Sequence, residues 1–136
     1  MLLVIDASIG IKWFVREDHS DTALAILEKL LTDPNRFGVP ELFFFELAHT
    51  FNRLIPRPTQ LQLDLLSRIV NSPMRRFSMT AELVSGIANF QAKGLSGYDA
   101  AYLALAKAVK GRWITADVKA YRKVGDSELC RLIGDF

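Results

Sequence analysis

Four acidic residues stand where a solvated charge is out of place: Asp6, Glu46, Asp99 and Asp117. Asp6 ends the apolar run Met1-Leu2-Leu3-Val4-Ile5, and Glu46 interrupts Leu42-Phe43-Phe44-Phe45-Glu46-Leu47. Asp99 opens an alanine-rich stretch, and Asp117 follows Trp113-Ile114-Thr115-Ala116. Other acids, such as Glu17, Asp18, Glu28, Asp33 and Glu82, lie among polar neighbours and read as surface. Carboxylates gathered in one place repel, so a cluster needs either raised pKa values or a cation. An all-oxygen set of this size selects a hard ion, Mg2+ or Mn2+, over zinc, which prefers nitrogen and sulfur. Such an ion acidifies water, orients it on phosphorus and offsets charge on a phosphate, so phosphodiester hydrolysis is the matching chemistry.

Each acid also has a purely structural reading. Asp6 fits the cap of a helix that follows the first strand, and Asp99 fits a first-turn acid complementing a helix dipole. Glu46 has Arg53 or Lys12 as possible partners, and Asp117 fits a turn. Four separate explanations are then needed in place of one. Ser8 and Thr115 are hydroxyls placed to donate to a carboxylate or to a cation's bound water; as a cap and a strand end they need no such role. Glu46 and His49 share the Glu-x-x-His spacing of di-iron bundles, but no second copy exists. His19 has no partner pattern, and without His-Glu-x-x-His or paired cysteines a zinc hydrolase is not indicated. No Gly-x-Gly-x-x-Gly or phosphate-cradling loop occurs either. Trp13, Phe14 and Trp113 read as core.

These acids need elements to carry them. The first run has β-branched members and no polar alternation, the habit of a strand buried on both faces in a parallel sheet. Asp6 then lies at its carboxyl end, the edge where open α/β sheets bind ligands. Ser8 is expected to cap a short helix through Phe14, and Ser20 or Asp21 a second helix ended by Asp33-Pro34-Asn35. Arg36 to Val39 reads as a strand, and Pro40 with Glu41 as the opening of a helix over Leu42 to Leu54. That helix is apolar nearly all round and is expected to be covered on most sides. Thr59 caps the next helix, with a stripe of Leu61, Leu65, Leu66, Ile69 and Val70; this helix pair is expected to serve self-association. A short strand at Met74 to Phe77 follows, then a helix from Thr80 to Lys93 closed by Gly94. Ser96 caps a helix stopped by Gly111, Arg112 to Thr115 is a strand, and a helical turn and a strand around Glu128 to Ile133 complete the chain.

At 136 residues the chain fits one α/β domain over residues 1–136, with no repeat or linker. No apolar stretch approaches the roughly 20 residues of a membrane span. Asp6 cuts short any secretory signal, and the single Cys130 leaves no internal disulfide, so a cytoplasmic setting is expected. The net charge of +2 divides unevenly: residues 1–50 hold 4 Lys/Arg against 8 Asp/Glu, and residues 51–136 hold 13 against 7. An acidic pocket on a basic body suits a polyanion held near a metal. Arg112, Lys119, Arg122 and Lys123 are candidates to meet its phosphates.

The stretches Leu3-Val4-Ile5-Asp6-Ala7-Ser8, Val39-Pro40-Glu41-Leu42-Phe43-Phe44-Phe45-Glu46, Leu95 to Ala106 around Asp99, and Trp113-Ile114-Thr115-Ala116-Asp117 run in one order over almost the whole chain. In them the sequence resembles the PIN-domain ribonucleases, and within these the VapC-type toxins of prokaryotic toxin-antitoxin pairs. The resemblance implies a single three-layer α/β/α domain with a central, mostly parallel sheet. It also implies a Mg2+ or Mn2+ site from Asp6, Glu46, Asp99 and Asp117, RNA as substrate, a homodimer, and a small VapB-type antitoxin whose C-terminal segment fills the acidic groove. Val118-Lys119-Ala120-Tyr121 lacks the further acid that some members carry, leaving one or two metal ions open. Alternatives are an RNA-processing nuclease of this family without an antitoxin, a catalytically idle RNA-binding or assembly module, and a phosphoacceptor domain, which wants an adjacent acidic pair that Ile5-Asp6-Ala7 does not supply.

Overall fold

The computed structural model describes residues 1–136. Five short strands, β1 (Leu3–Ile5), β2 (Phe37–Pro40), β3 (Arg75–Phe77), β4 (Arg112–Thr115) and β5 (Cys130–Leu132), form one sheet in the order β3-β2-β1-β4-β5. All four pairings are parallel. The central place of β1 explains its unbroken apolar run, since Val4 and Ile5 have neighbours on every side and no exposure. In register, Val4 faces Trp113 and Ile5 faces Ile114.

Seven helices make the connections: α1 (Ala7–Gly10), α2 (Ser20–Thr32), α3 (Leu42–Leu54), α4 (Gln60–Val70), α5 (Ala81–Ala92), α6 (Gly97–Ala108) and α7 (Val118–Val124). The chain steps from β1 outward to β2 and β3, then returns across the sheet to β4 and β5. Right-handed crossovers therefore lay α1 to α4 on one face and α5 to α7 on the other, giving three layers. This is the α/β/α architecture that the sequence led us to expect. Between β1 and β4 the direction of winding reverses, and such a switch point opens a crevice beyond the carboxyl ends of the strands. The core beneath it is built on Trp113, Tyr102, Phe37, Phe43 and Phe51, all essentially inaccessible. No helix is long and apolar enough to cross a membrane.

Several helix ends follow their local chemistry as expected. Thr59 and Gln62 form a reciprocal capping box, Thr80 and Ser96 cap α5 and α6, and Gly94 takes the left-handed conformation (φ 97°) after α5. Others differ. Asp6, not Ser8, caps α1, because the Ser8 side chain is drawn across to the loop after β4. Neither Ser20 nor Asp21 caps α2: the Ser20 hydroxyl accepts from the Glu17 N–H, Asp21 pairs with Arg16, and His19 enters the helix in the left-handed region. Pro40 ends β2 instead of opening α3, and the next N–H, that of Glu41, donates to the Phe77 carbonyl.

The face of α3 that carries Phe43, Phe44, Leu47 and Phe51 is buried, but Phe45 is 73% exposed, so cover on most sides is not observed. Leu61 likewise leaves the α4 stripe, at 82% exposure. After α6 the left-handed position falls on Lys110 (φ 55°). Gly111 is required for a different reason: a Cβ there would sit 2.2 Å from the Leu2 carbonyl oxygen.

Candidate functional site

Asp6 follows the last residue of β1, and its carboxylate takes four hydrogen bonds. Oδ1 accepts from the Ser8 N–H at 2.9 Å and from the Ser8 hydroxyl; Oδ2 accepts from Trp113 Nε1 at 3.0 Å and Thr115 Oγ1 at 2.6 Å. Trp113 and Thr115 are two apart on β4, so the period of a strand sends both to one face. Thr115 Oγ1 also accepts from the Asp117 N–H at 3.1 Å, and Ser8 Oγ accepts from the Ala116 N–H at 3.0 Å. These bonds tie the end of β1 to the loop after β4. The two hydroxyls lie 3.4 Å apart, so the Ser8 hydroxyl has a second acceptor within reach should it release Asp6.

Glu46 projects from α3 and accepts the Tyr102 hydroxyl at Oε1, 2.7 Å away. It pairs with neither Arg53 nor Lys12, which instead meets Glu17. Asp99 occupies the first turn of α6, its own N–H held by the Ser96 hydroxyl at 3.1 Å. Asp117 caps α7 through Oδ1, which accepts from the Ala120 N–H at 3.0 Å. The structural readings of Asp6 as a cap and of Asp99 as a first-turn acid therefore hold, Asp117 proves to be a helix cap and not a turn residue, and these roles coexist with a shared location. All four acids line one cavity of about 290 Å³, with Ala7, Ser8, Ile11, Thr50 and Tyr102.

The electrostatics follow from this convergence. Burial pushes the Asp6 carboxyl above its ordinary range despite the donors from Ser8, Thr115 and Trp113. Burial also raises Glu46, against the Tyr102 bond, and the charges of Asp6 and Asp99 raise it further. Asp99 is raised chiefly by burial and then by Asp117, while Ser96 and Lys123 oppose the shift. Burial and the same three acids Glu46, Asp6 and Asp99 drive the Tyr102 phenol far above its usual value, keeping it a neutral donor.

The donor set is all oxygen, anionic and mutually repelling, which fits a hard divalent cation. As the side chains stand, no group of three acidic, histidine or cysteine residues is drawn tightly enough together to hold a metal ion. Asp6, Glu46 and Asp117 each turn at least one oxygen to a protein donor.

Two residues escape the sequence reading, Tyr102 and Trp113, each the direct partner of a cavity acid. Their spacing carried a signal, since Tyr102 lies one helical turn after Asp99 and Trp113 shares a strand face with Thr115. Arg112 is a correction in the other direction. It begins β4, three residues and about 10 Å from the acidic edge, and is held by the Glu128 carbonyl at 3.0 Å and carboxylate at 3.5 Å. Lys123 is close enough to act on Asp99, and Lys119 and Arg122 are exposed on the same helix.

Comparison with known proteins agrees with this fold. No curated protein sequence matches the chain. Its structure is similar to PAE2754 from Pyrobaculum aerophilum, with TM-score 0.70 and 14% identity over 98% of this chain and 85% of that one. VapC20 from Mycobacterium tuberculosis, a sarcin-ricin loop cleaving toxin, gives 0.68 and 16% over 88% and 93%. VapBC2 from Rickettsia felis, solved bound to a DNA fragment from its promoter, gives 0.68 and 15% over 97% and 98%. Identities this low speak to fold alone. A family profile described as PIN domain matches residues 3–126, and the chain belongs to the PIN domain family.

Proposed function

We propose that the chain is a Mg2+- or Mn2+-dependent endoribonuclease and the toxin of a toxin-antitoxin pair. One observation carries the reading: carboxylates from four elements far apart in sequence line one cavity at the sheet's switch point. Asp6, Glu46 and Asp99 would be the principal holders of the ion, with Asp117 assisting from the α7 cap. A divalent cation there supplies positive charge that acidifies water and offsets charge on the phosphate and its leaving oxygen.

The chain's own residues do the rest. Thr115 and Trp113 hold one oxygen of Asp6, and when the Ser8 hydroxyl turns toward Thr115 the other keeps only the Ser8 N–H. Burial first and the neighbouring carboxylates after it raise the Glu46 and Asp99 carboxyls, a shift that a bound cation would oppose. The water oxygen would bond to phosphorus as the bond to the leaving oxygen breaks, and one of the water's two protons would end on that leaving oxygen. Lys123, whose charge acts on Asp99, would meet a phosphate of the strand. The toxin assignment is supported by the likeness to VapC20 and VapBC2, and with it come a small VapB-type antitoxin, a homodimer and a cytoplasmic site of action.

Incubating the purified protein with single-stranded RNA and Mg2+ tests the activity. Cleavage is expected, abolished by EDTA and reduced at least about 100-fold in Asp99→Asn, as loss of a charged group made for the transition state would do. Full activity of Asp99→Asn or of the EDTA-treated protein refutes the reading. Tight RNA binding without cleavage and without any Mg2+ requirement would instead mark an idle binding module. For the antitoxin, co-expression of a short upstream reading frame is expected to relieve growth inhibition by the toxin.

A further inference from the structure

We propose that Tyr102 and Trp113 form one rigid pair of donors that positions the Glu46 and Asp6 carboxylates for the cation; the proposal rests on the divalent-cation reading above. The two rings stack nearly parallel, 6.1 Å between centroids and 10° between planes, and both are essentially inaccessible. Each ring ends in a single polar hydrogen, and the pair delivers these to different acids. Tyr102 donates to Glu46 Oε1 at 2.7 Å and Trp113 to Asp6 Oδ2 at 3.0 Å. One stacked unit thereby links α6 and β4, which carry the rings, to α3 and the end of β1, which carry the acids.

Packing alone does not account for the choice of acceptors. A buried indole N–H or phenol O–H needs a partner, and a neutral carbonyl suffices. Trp13 shows this within the same molecule, donating to the Ala23 carbonyl at 2.8 Å. Trp113 and Tyr102 are given carboxylates instead, which are far more costly to bury. The bonds also differ in kind from the one the Ser8 hydroxyl makes. A hydroxyl rotates freely about its C–O bond, whereas the indole N–H is fixed by its ring plane and the phenol O–H stays in the plane of a ring that packing immobilises. The pair therefore holds one oxygen of each acid, and Glu46 Oε2 has no protein donor. Tyr102 and Trp113 are positioning residues, acting through the carboxylates.

Mn2+ binding without RNA, followed by calorimetry and by tryptophan emission, reads this directly. Tyr102→Phe keeps the ring and the stack and deletes the donor. It is expected to fold with a near-native circular dichroism spectrum and to bind Mn2+ about 10- to 100-fold more weakly, the effect usual for groups that orient metal ligands. In Glu46→Gln the further change Tyr102→Phe is expected to add less than twofold, because the bond it removes no longer positions a charged ligand. Trp113→Phe is expected to abolish the emission change on Mn2+ addition, leaving the constant signal of Trp13. Mn2+ affinity of Tyr102→Phe within twofold of the wild type overturns the positioning role while leaving the cation reading intact. No Mn2+ binding by the wild type overturns both.

Discussion

Thr115→Val is close to isosteric and removes one oxygen from a fully buried position. That oxygen makes a charge-assisted bond to Asp6 Oδ2 at 2.6 Å and accepts the Asp117 N–H at 3.1 Å. A hydrogen bond to a charged group contributes about 1.5–3 kcal/mol and a neutral one about 0.5–1.5 kcal/mol, so the substitution is expected to destabilise by about 2–4 kcal/mol where Asp6 is ionised. For a domain of this size that lowers the melting temperature by roughly 8–15 °C. The loss depends on pH. Burial already raises the Asp6 pKa, and losing a donor raises it further. Between the two folded-state values the wild type is ionised and the variant is not, so the difference in stability grows as pH rises through that window and levels off above it. Once Asp6 is neutral in both proteins, only neutral bonds are lost and the difference falls to about 1–2 kcal/mol. Urea unfolding in EDTA at two pH values, the acid and the alkaline ends of the range over which the wild type stays folded, measures both limits. A loss below about 1 kcal/mol at the higher pH, or one that is the same at both, would refute the account of how Asp6 is held.

Glu46→Gln places its carbonyl on the Tyr102 hydroxyl and orphans no donor, so it relieves repulsion without losing a bond. Because the Glu46 pKa is raised on folding, wild-type stability is lost as pH rises through the folded value; the variant is therefore expected to gain on the wild type with rising pH in EDTA, and Mg2+ should reverse the ranking, both read from urea midpoints. Asp6→Asn is expected to destabilise by about 1–3 kcal/mol, since its amide NH2 must face either Trp113 Nε1 or the Ser8 N–H, two obligate donors; equal or higher stability by the same assay would contradict this. Gly111→Ala drives a methyl against the Leu2 carbonyl oxygen and is expected to lose about 3 kcal/mol or more, visible as a fall in melting temperature or as insoluble protein; a native melting temperature would contradict it.

Features set by nearby residues could be read from the sequence. The unbroken apolar run before Asp6 announced a central strand, and Thr59, Thr80 and Ser96 announced helix starts by side-chain chemistry that acts within three residues. The acids themselves stood out because each broke an apolar pattern. What remained hidden were polar tips on apolar bodies. Trp113 and Asp6 are 107 positions apart, Tyr102 and Glu46 are 56 apart, and neither aromatic shows in its own neighbourhood what its single hydrogen will meet. Asp6 and Ser8 were both good caps, and the choice between them was made by the loop after β4, far along the chain. Arg112 misled because a charge count has no direction: its strand points the other end at the acids.

The placement of β1 also governs when the molecule can be complete. Synthesis delivers this strand first, yet it lies between β2 and β4, and Asp6 meets Thr115 across 109 positions of chain. Pairing at that separation forfeits much chain freedom before any contact compensates, so the sheet closes late and slowly. Until then Asp6 remains an ordinary solvated side chain, with neither its indole nor its hydroxyl partner. A chain still on the ribosome thus has no assembled acidic cavity until β4 and the loop that carries Asp117 have emerged.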